Sequence, residues 1–143
     1  MLIETGTRNM IHSLKQLGAR RYNLHLPEVK YIVSILNDNE VVMGIAFGKY
    51  NHSFENLTGR GALVATNMRI LLVDRKPLFD RYENIPYSII NGITYSHAPF
   101  GASIILETRA GDISILTFCT SCAKGFVKAV EGYLSSLAKN QPF

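Results

Sequence analysis

The sequence predicts a mainly β domain with α structure. The expected architecture is a small antiparallel barrel of six to seven short strands, capped by a C-terminal helix and preceded by an N-terminal helical extension. Three observations predict it. Two apolar runs, at 61–66 and 69–74, meet at the polar turn Thr66-Asn67-Met68-Arg69, the pattern of a tight hairpin buried on at least one face. Strand-like runs follow one another without regular strand–helix alternation, which disfavours a parallel sheet. Phe126, Val130, Tyr133, Leu134 and Leu137 then recur at helical spacing, an apolar stripe that must cover a sheet face or a barrel mouth.

The elements read as follows. Thr7 is a candidate N-cap, and Met10, Ile11, Leu14 and Leu17 line one face of a short helix at about 8–17 that Gly18 stops. Pro27 suits a first helical position. Val29, Ile32, Val33 and Leu36 line a second short helix, ended by Asn37-Asp38-Asn39. Val41 to Phe47 reads as a strand with Gly44 at a bend, and Tyr50 to Thr58 as a loop anchored by Phe54 and Leu57. After the hairpin, Pro77 breaks the pattern and 78–83 forms a short strand or edge segment. Ile85-Pro86-Tyr87 is extended, because the residue before proline is pushed out of the helical region. Residues 89–95 form a strand, and 103–108 with 112–118 form a second hairpin around Arg109-Ala110-Gly111. The last helix covers about 121–138, where Gly125 and Gly132 each cost about 1 kcal/mol of propensity. Tertiary packing must hold it. The helical extension is therefore set at 1–37 and the main domain at 38–140.

Composition narrows the function classes. The 143 residues fit one compact domain with an appendage, and an apolar share of 47% rules against disorder. No run reaches the ~18 apolar residues of a membrane span. Residues 1–15 lack the apolar region of a signal peptide, so the expected compartment is the cytoplasm. A net charge of +4, with Arg20-Arg21 and Arg75-Lys76 as the adjacent basic pairs, gives no strong nucleic-acid signal.

No catalytic constellation emerges. Cys119 and Cys122 form Cys-x-x-Cys at a strand-to-helix junction. A helix N-terminus lowers a thiol pKa, but no second cysteine pair or nearby histidine completes a zinc set. The two are read as structural thiols, with Thr120 and Ser121 as capping residues. His12, His25, His52 and His97 fall on separate elements without metal-ligand spacing. Gly59-Arg60-Gly61 precedes a strand rather than a helix, so it is no phosphate loop. The expectation is a non-enzyme with no cofactor and no metal.

The stretch from Gly61 to Asp74 resembles the signature G-x-L-x-x-T-x-x-R-h-h-h-x-D, with h apolar, of bacterial pleckstrin-homology-like domains. The YokE-like group is the nearest match. Ile85-Pro86-Tyr87 with Ile89, Ile90 and Ile93, the hairpin ending at Phe118 and the closing helix extend the resemblance over about 38–138. It implies a non-catalytic module. Phosphoinositide-binding relatives carry basic residues around the first two strands. Here Lys49 precedes the 50–58 loop and Arg60 closes it, but Ala62 stands where the second arginine is expected, which argues against strong phosphoinositide binding.

The functional expectation is an interaction or scaffold module that binds a protein partner or a second copy of itself. The alternative is a weak binder of anionic lipid headgroups or another phosphate-bearing ligand. Candidate ligand residues are Lys49, Arg60 and Arg69, with Arg75 and Lys76 as alternates. Thr66 and Asn67 are expected to satisfy the turn. Arg69 has a competing structural role: pairing with Asp74 or Glu83, or capping free carbonyls. Met10, Ile11, Leu14 and Leu17 form a candidate interaction surface. That stripe has three destinations: the domain's own barrel, a second chain, or peripheral membrane contact aided by Arg8, Lys15, Arg20 and Arg21.

Overall fold

The computed structural model describes residues 27–53, 57–75 and 80–139. The expected helix at 8–17, with Met10, Ile11, Leu14 and Leu17, lies outside them. The described residues begin with α1 (Pro27–Ile35) and continue through β1 (Val42–His52), β2 (Leu57–Thr66), β3 (Ile70–Arg75) and β4 (Asp80–Ile85). A 3-10 turn (Tyr87–Ile89) leads to β5 (Ile90–Ala98), β6 (Gly101–Thr108), β7 (Gly111–Thr117) and α2 (Thr120–Lys139).

The seven strands form one sheet in the order β4-β3-β2-β1-β7-β6-β5, and every pairing is antiparallel. This order forces the sheet to curl. Laid flat, β4 and β5 would stand about 29 Å apart, six spacings of ~4.8 Å. Yet Ile85 ends β4 and Ile90 starts β5, and that length of chain reaches at most about 18 Å. The two outer strands must therefore approach each other, which bends the sheet into the expected barrel-like shell.

The inner face of the shell holds the main core. Ala46, Tyr50, Leu63, Leu72, Ile104, Leu106, Ile113 and Ile115 meet Phe126, Val127 and Val130 of α2. Gly44 allows the approach of α2: a Cβ there would stand 2.8 Å from the Phe126 Cα. Tyr87 stacks on Tyr133 of α2 at 4.2 Å between ring centroids, and its hydroxyl donates to the Thr66 carbonyl at 2.5 Å.

A second core lies on the outer face of β1–β3. There Val29 and Ile32 of α1 cover Ile45, Phe47, Ala62, Val64, Leu71 and Val73. The hairpin strands are thus buried on both faces, which explains runs of four consecutive buried apolar residues, 62–65 and 70–73. The expected second helix forms and packs on the chain's own sheet.

Three readings are revised. Pro86 is extended as expected, but Tyr87 opens the 3-10 turn instead of continuing the extended piece. β1 continues through Tyr50 and His52, where a loop was expected. Tyr50 and His52 point inward and pair with Ile115 and Ile113 of β7, so partner strand and burial extend the ladder past the polar residues. Cys119 and Cys122 are joined as a disulfide, not free thiols. Cys119 also takes the position ahead of α2: its carbonyl accepts the Ala123 N–H at 3.1 Å, and its Sγ accepts the Cys122 N–H at 3.3 Å.

Candidate interaction surface

The turn that joins β2 to β3 is a structural hub. Thr66 Oγ1 accepts the Met68 and Arg69 backbone N–H groups, each at 3.1 Å. Asn67 reaches the other way and holds the segment entering β1. Its Oδ1 accepts the Val41 N–H at 2.8 Å, its Nδ2 donates to the Asn39 carbonyl at 3.1 Å, and its N–H donates to the Val41 carbonyl at 3.1 Å. Glu40 is buried beside this turn, and its Oε2 accepts the Thr66 hydroxyl at 2.6 Å.

Arg69 pairs with Glu40 rather than Asp74 or Glu83. Alternation explains this. Leu72 belongs to the inner core and Leu71 and Val73 to the outer one, so Asp74 faces inward and Arg69 outward. Glu83 stands opposite Leu72 and is engaged by His52, whose Nε2 lies 3.3 Å from both carboxylate oxygens. The carbonyl-capping role of Arg69 is observed: Nη2 donates to the Ile35 carbonyl at the end of α1, 3.1 Å away. Its guanidinium also sits 5.9 Å from the Tyr82 ring centroid. Burial disfavours the Glu40 carboxylate, but hydrogen bonds from Arg69, Thr66 and the Asn37 N–H outweigh it and hold the carboxyl below its ordinary value.

Lys49 and Arg60 are brought together. They are direct cross-strand partners on β1 and β2, and both are exposed. Tyr50 faces inward, so Lys49 and its partner face outward. Arg75 ends β3, and Lys76 lies outside the described residues. Arg69 sits at the far end of β2, about 20 Å along the strand from Arg60, so the candidate basic residues do not form one cluster.

Apolar side chains unforeseen as a surface complete this face. Leu116 is the β7 partner of Lys49 and is 46% exposed. Phe118, two residues on, is 57% exposed. Apart from this pair, Phe100 in the turn between β5 and β6 is 83% exposed. Gly101 holds the turn against the end of β7. Its φ of +140° and the closeness of the Phe118 Cα, 3.1 Å from a Cβ built there, leave no place for a side chain. The signal was present in the sequence: Leu116 and Phe118 share the parity of Asp112 and Ser114, the solvent side of β7, where alternation calls for polar residues.

The arrangement offers two adjacent cations beside exposed apolar groups. No group of three or more His, Cys, Asp or Glu among the described residues is placed to hold a metal ion. No helix among them is long and apolar enough to cross a membrane.

The model of the family described as Bacterial PH domain matches residues 36–131. The chain belongs to the bacterial PH domain family. The matched span of this bacterial PH domain starts after α1 and includes the hairpin hub, all seven strands and the first half of α2. Among solved structures, the Vps36 N-terminal PH domain is similar with a TM-score of 0.55 and 18% identity, over 74% of this chain and 87% of that one. The linker-DH/PH domains of p115-RhoGEF align with a TM-score of 0.53 and 11% identity, over 96% of this chain and 42% of that one. A DUF1696 family protein with a pleckstrin-homology domain from Shewanella loihica gives a TM-score of 0.49 and 21% identity, over 73% of this chain and 91% of that one. Likeness at these identities speaks to fold alone. No curated protein matches the chain.

Proposed function

We propose that this bacterial PH domain is a non-catalytic interaction module that recognises a protein partner through the outer face of β1, β2 and β7. The observation that carries the reading is the juxtaposition of Lys49 and Arg60 with the exposed Leu116 and Phe118. Exposed apolar side chains grouped beside cations mark interaction surfaces, and aromatic residues with arginine are enriched where proteins meet. The YokE-like resemblance of the hairpin supports the non-catalytic character. The recognition domain is residues 38–140, with 1–37 as its helical extension.

A second reading follows from the same residues. Two adjacent cations beside the exposed Leu116 and Phe118 also suit an anionic lipid surface. One experiment separates the two. A photo-crosslinking side chain at position 118 is used in the native cell, alongside co-sedimentation with phosphatidylserine-rich vesicles. A discrete polypeptide adduct that disappears in K49A/R60A supports the protein reading. Salt-sensitive vesicle binding lost in the same variant moves the assignment to lipid. Neither signal at low salt removes this face as a recognition surface.

A further inference from the structure

The two edges of the sheet are built differently. β4 is six residues long and carries Asp80, Arg81 and Glu83, the charges with which natural sheets block edge-to-edge pairing. β5 is nine residues long, Ile-Asn-Gly-Ile-Thr-Tyr-Ser-His-Ala, and contains no Asp, Glu, Lys, Arg or Pro. Its interruption is an irregularity between Ile90 and Gly92; from Gly92 to Ala98 the pairing with β6 is regular. Among the described residues no strand pairs with its other side. A long, neutral edge of this kind is a template for a further strand.

We propose that the occupant is β5 of a second copy of this chain, paired antiparallel about a two-fold axis. The regular segment is self-complementary. Centred on Tyr95, antiparallel pairing sets Gly92 against Ala98, Ile93 against His97, Thr94 against Ser96 and Tyr95 against its own counterpart. No pair opposes like acidic or basic side chains, the juxtaposition that penalises self-pairing. Tyr95 faces the inner side with Ile93, whereas Thr94 and Ser96 are exposed on the outer side. An aromatic pair thus falls at the axis on one face and a hydroxyl pair beside it on the other, both favourable cross-strand combinations. The same operation on β4 would bring Asp80, Arg81 and Glu83 into the new ladder. The two-fold arrangement closes on itself, giving a dimer with a continuous sheet through both copies.

This interface is separate from the Lys49–Leu116 face, so the two readings fail independently. The test is light scattering during size exclusion of the full chain, with the variants T94K/S96K on β5 and Asn84→Lys on β4. The wild-type and Asn84→Lys proteins are expected at twice the 16.0 kDa chain mass. T94K/S96K, which places four lysines across the axis at solvent-facing positions, is expected at the mass of one chain. A wild-type monomer at every concentration overturns the proposal. So does a T94K/S96K protein that stays dimeric. Backbone hydrogen exchange of the wild type checks the result without substitution: amides of 92–98 exchange faster on dilution if the dimer forms here. Concentration-independent exchange of those amides overturns it.

Discussion

Arg69 and Glu40 meet in a two-pronged ion pair, Nε to Oε2 and Nη2 to Oε1, each at 2.9 Å. The pair locks the β2–β3 turn to the segment entering β1, and Arg69 extends the lock to α1 through the Ile35 carbonyl. The Glu40 side chain is fully covered. Removing the arginine would leave a buried carboxylate without its cation, a loss of about 3–5 kcal/mol. Arg69→Ala is therefore expected to lower the urea midpoint sharply. A loss below about 1 kcal/mol would show that the pair does not hold these elements together.

Acid should weaken the same lock. The carboxyl of Glu40 titrates below its ordinary value of 4.5 in the folded protein. Its contribution to stability is present above pH 4.5 and disappears as pH falls through the lower folded value. Denaturation midpoints taken between pH 6 and pH 3 should fall in the acid limb for the wild type. In Glu40→Gln the starting stability is lower and this component of the slope is missing; an unchanged slope contradicts the assignment.

Gly44→Ala should strain the seat of α2. The added Cβ would meet the main chain of Phe126 at 2.8 Å, and backbone on both sides has little freedom to yield. Overpacking of this kind costs about 1–3 kcal/mol. Thermal unfolding measures it, and a Tm equal to wild type would mean that the helix shifts without penalty.

Tyr87→Phe removes the hydroxyl that donates to the Thr66 carbonyl while keeping the ring stacked on Tyr133. The buried carbonyl loses a partner, so a loss of about 1–2 kcal/mol is expected. Chemical denaturation of the variant checks it, with Tyr133→Leu as the comparison that removes the stack instead.

Reduction of Cys119–Cys122 opens a loop whose ends are separated by three positions. Closing so short a loop restrains the unfolded chain by about 2 kcal/mol. Denaturation with and without a reductant should show a fall of that size or less. A larger one would mean that the bond also holds the start of α2 in place.

What could be read from the sequence follows local pattern. The hairpin at 61–74 was legible because both its faces are buried, which concentrates apolar residues in runs. The closing helix was legible from its stripe, and Phe126 and Val130 are fully buried. The second half of β1 was not, because Lys49 and Asn51 alternate with inward residues and the strand is held by β7, more than sixty positions away. The partner of Arg69 was hidden for the same reason: local spacing offers Asp74, but strand parity turns it to the other face. Lys49 and Arg60 were found individually. Their adjacency, and the apolar neighbours that turn two charges into a surface, depend on register.

The helix α1 has a consequence for the boundaries of the fold. The family span begins at residue 36, yet Val29 and Ile32 shield a greasy exterior that includes Phe47, Val64 and Leu71. A chain cut to that span would bare this exterior to water and should stick to itself or to hydrophobic dyes. In this protein α1 lies as a lid on the outside wall of the barrel, and the self-sufficient unit is expected to be longer than the matched segment.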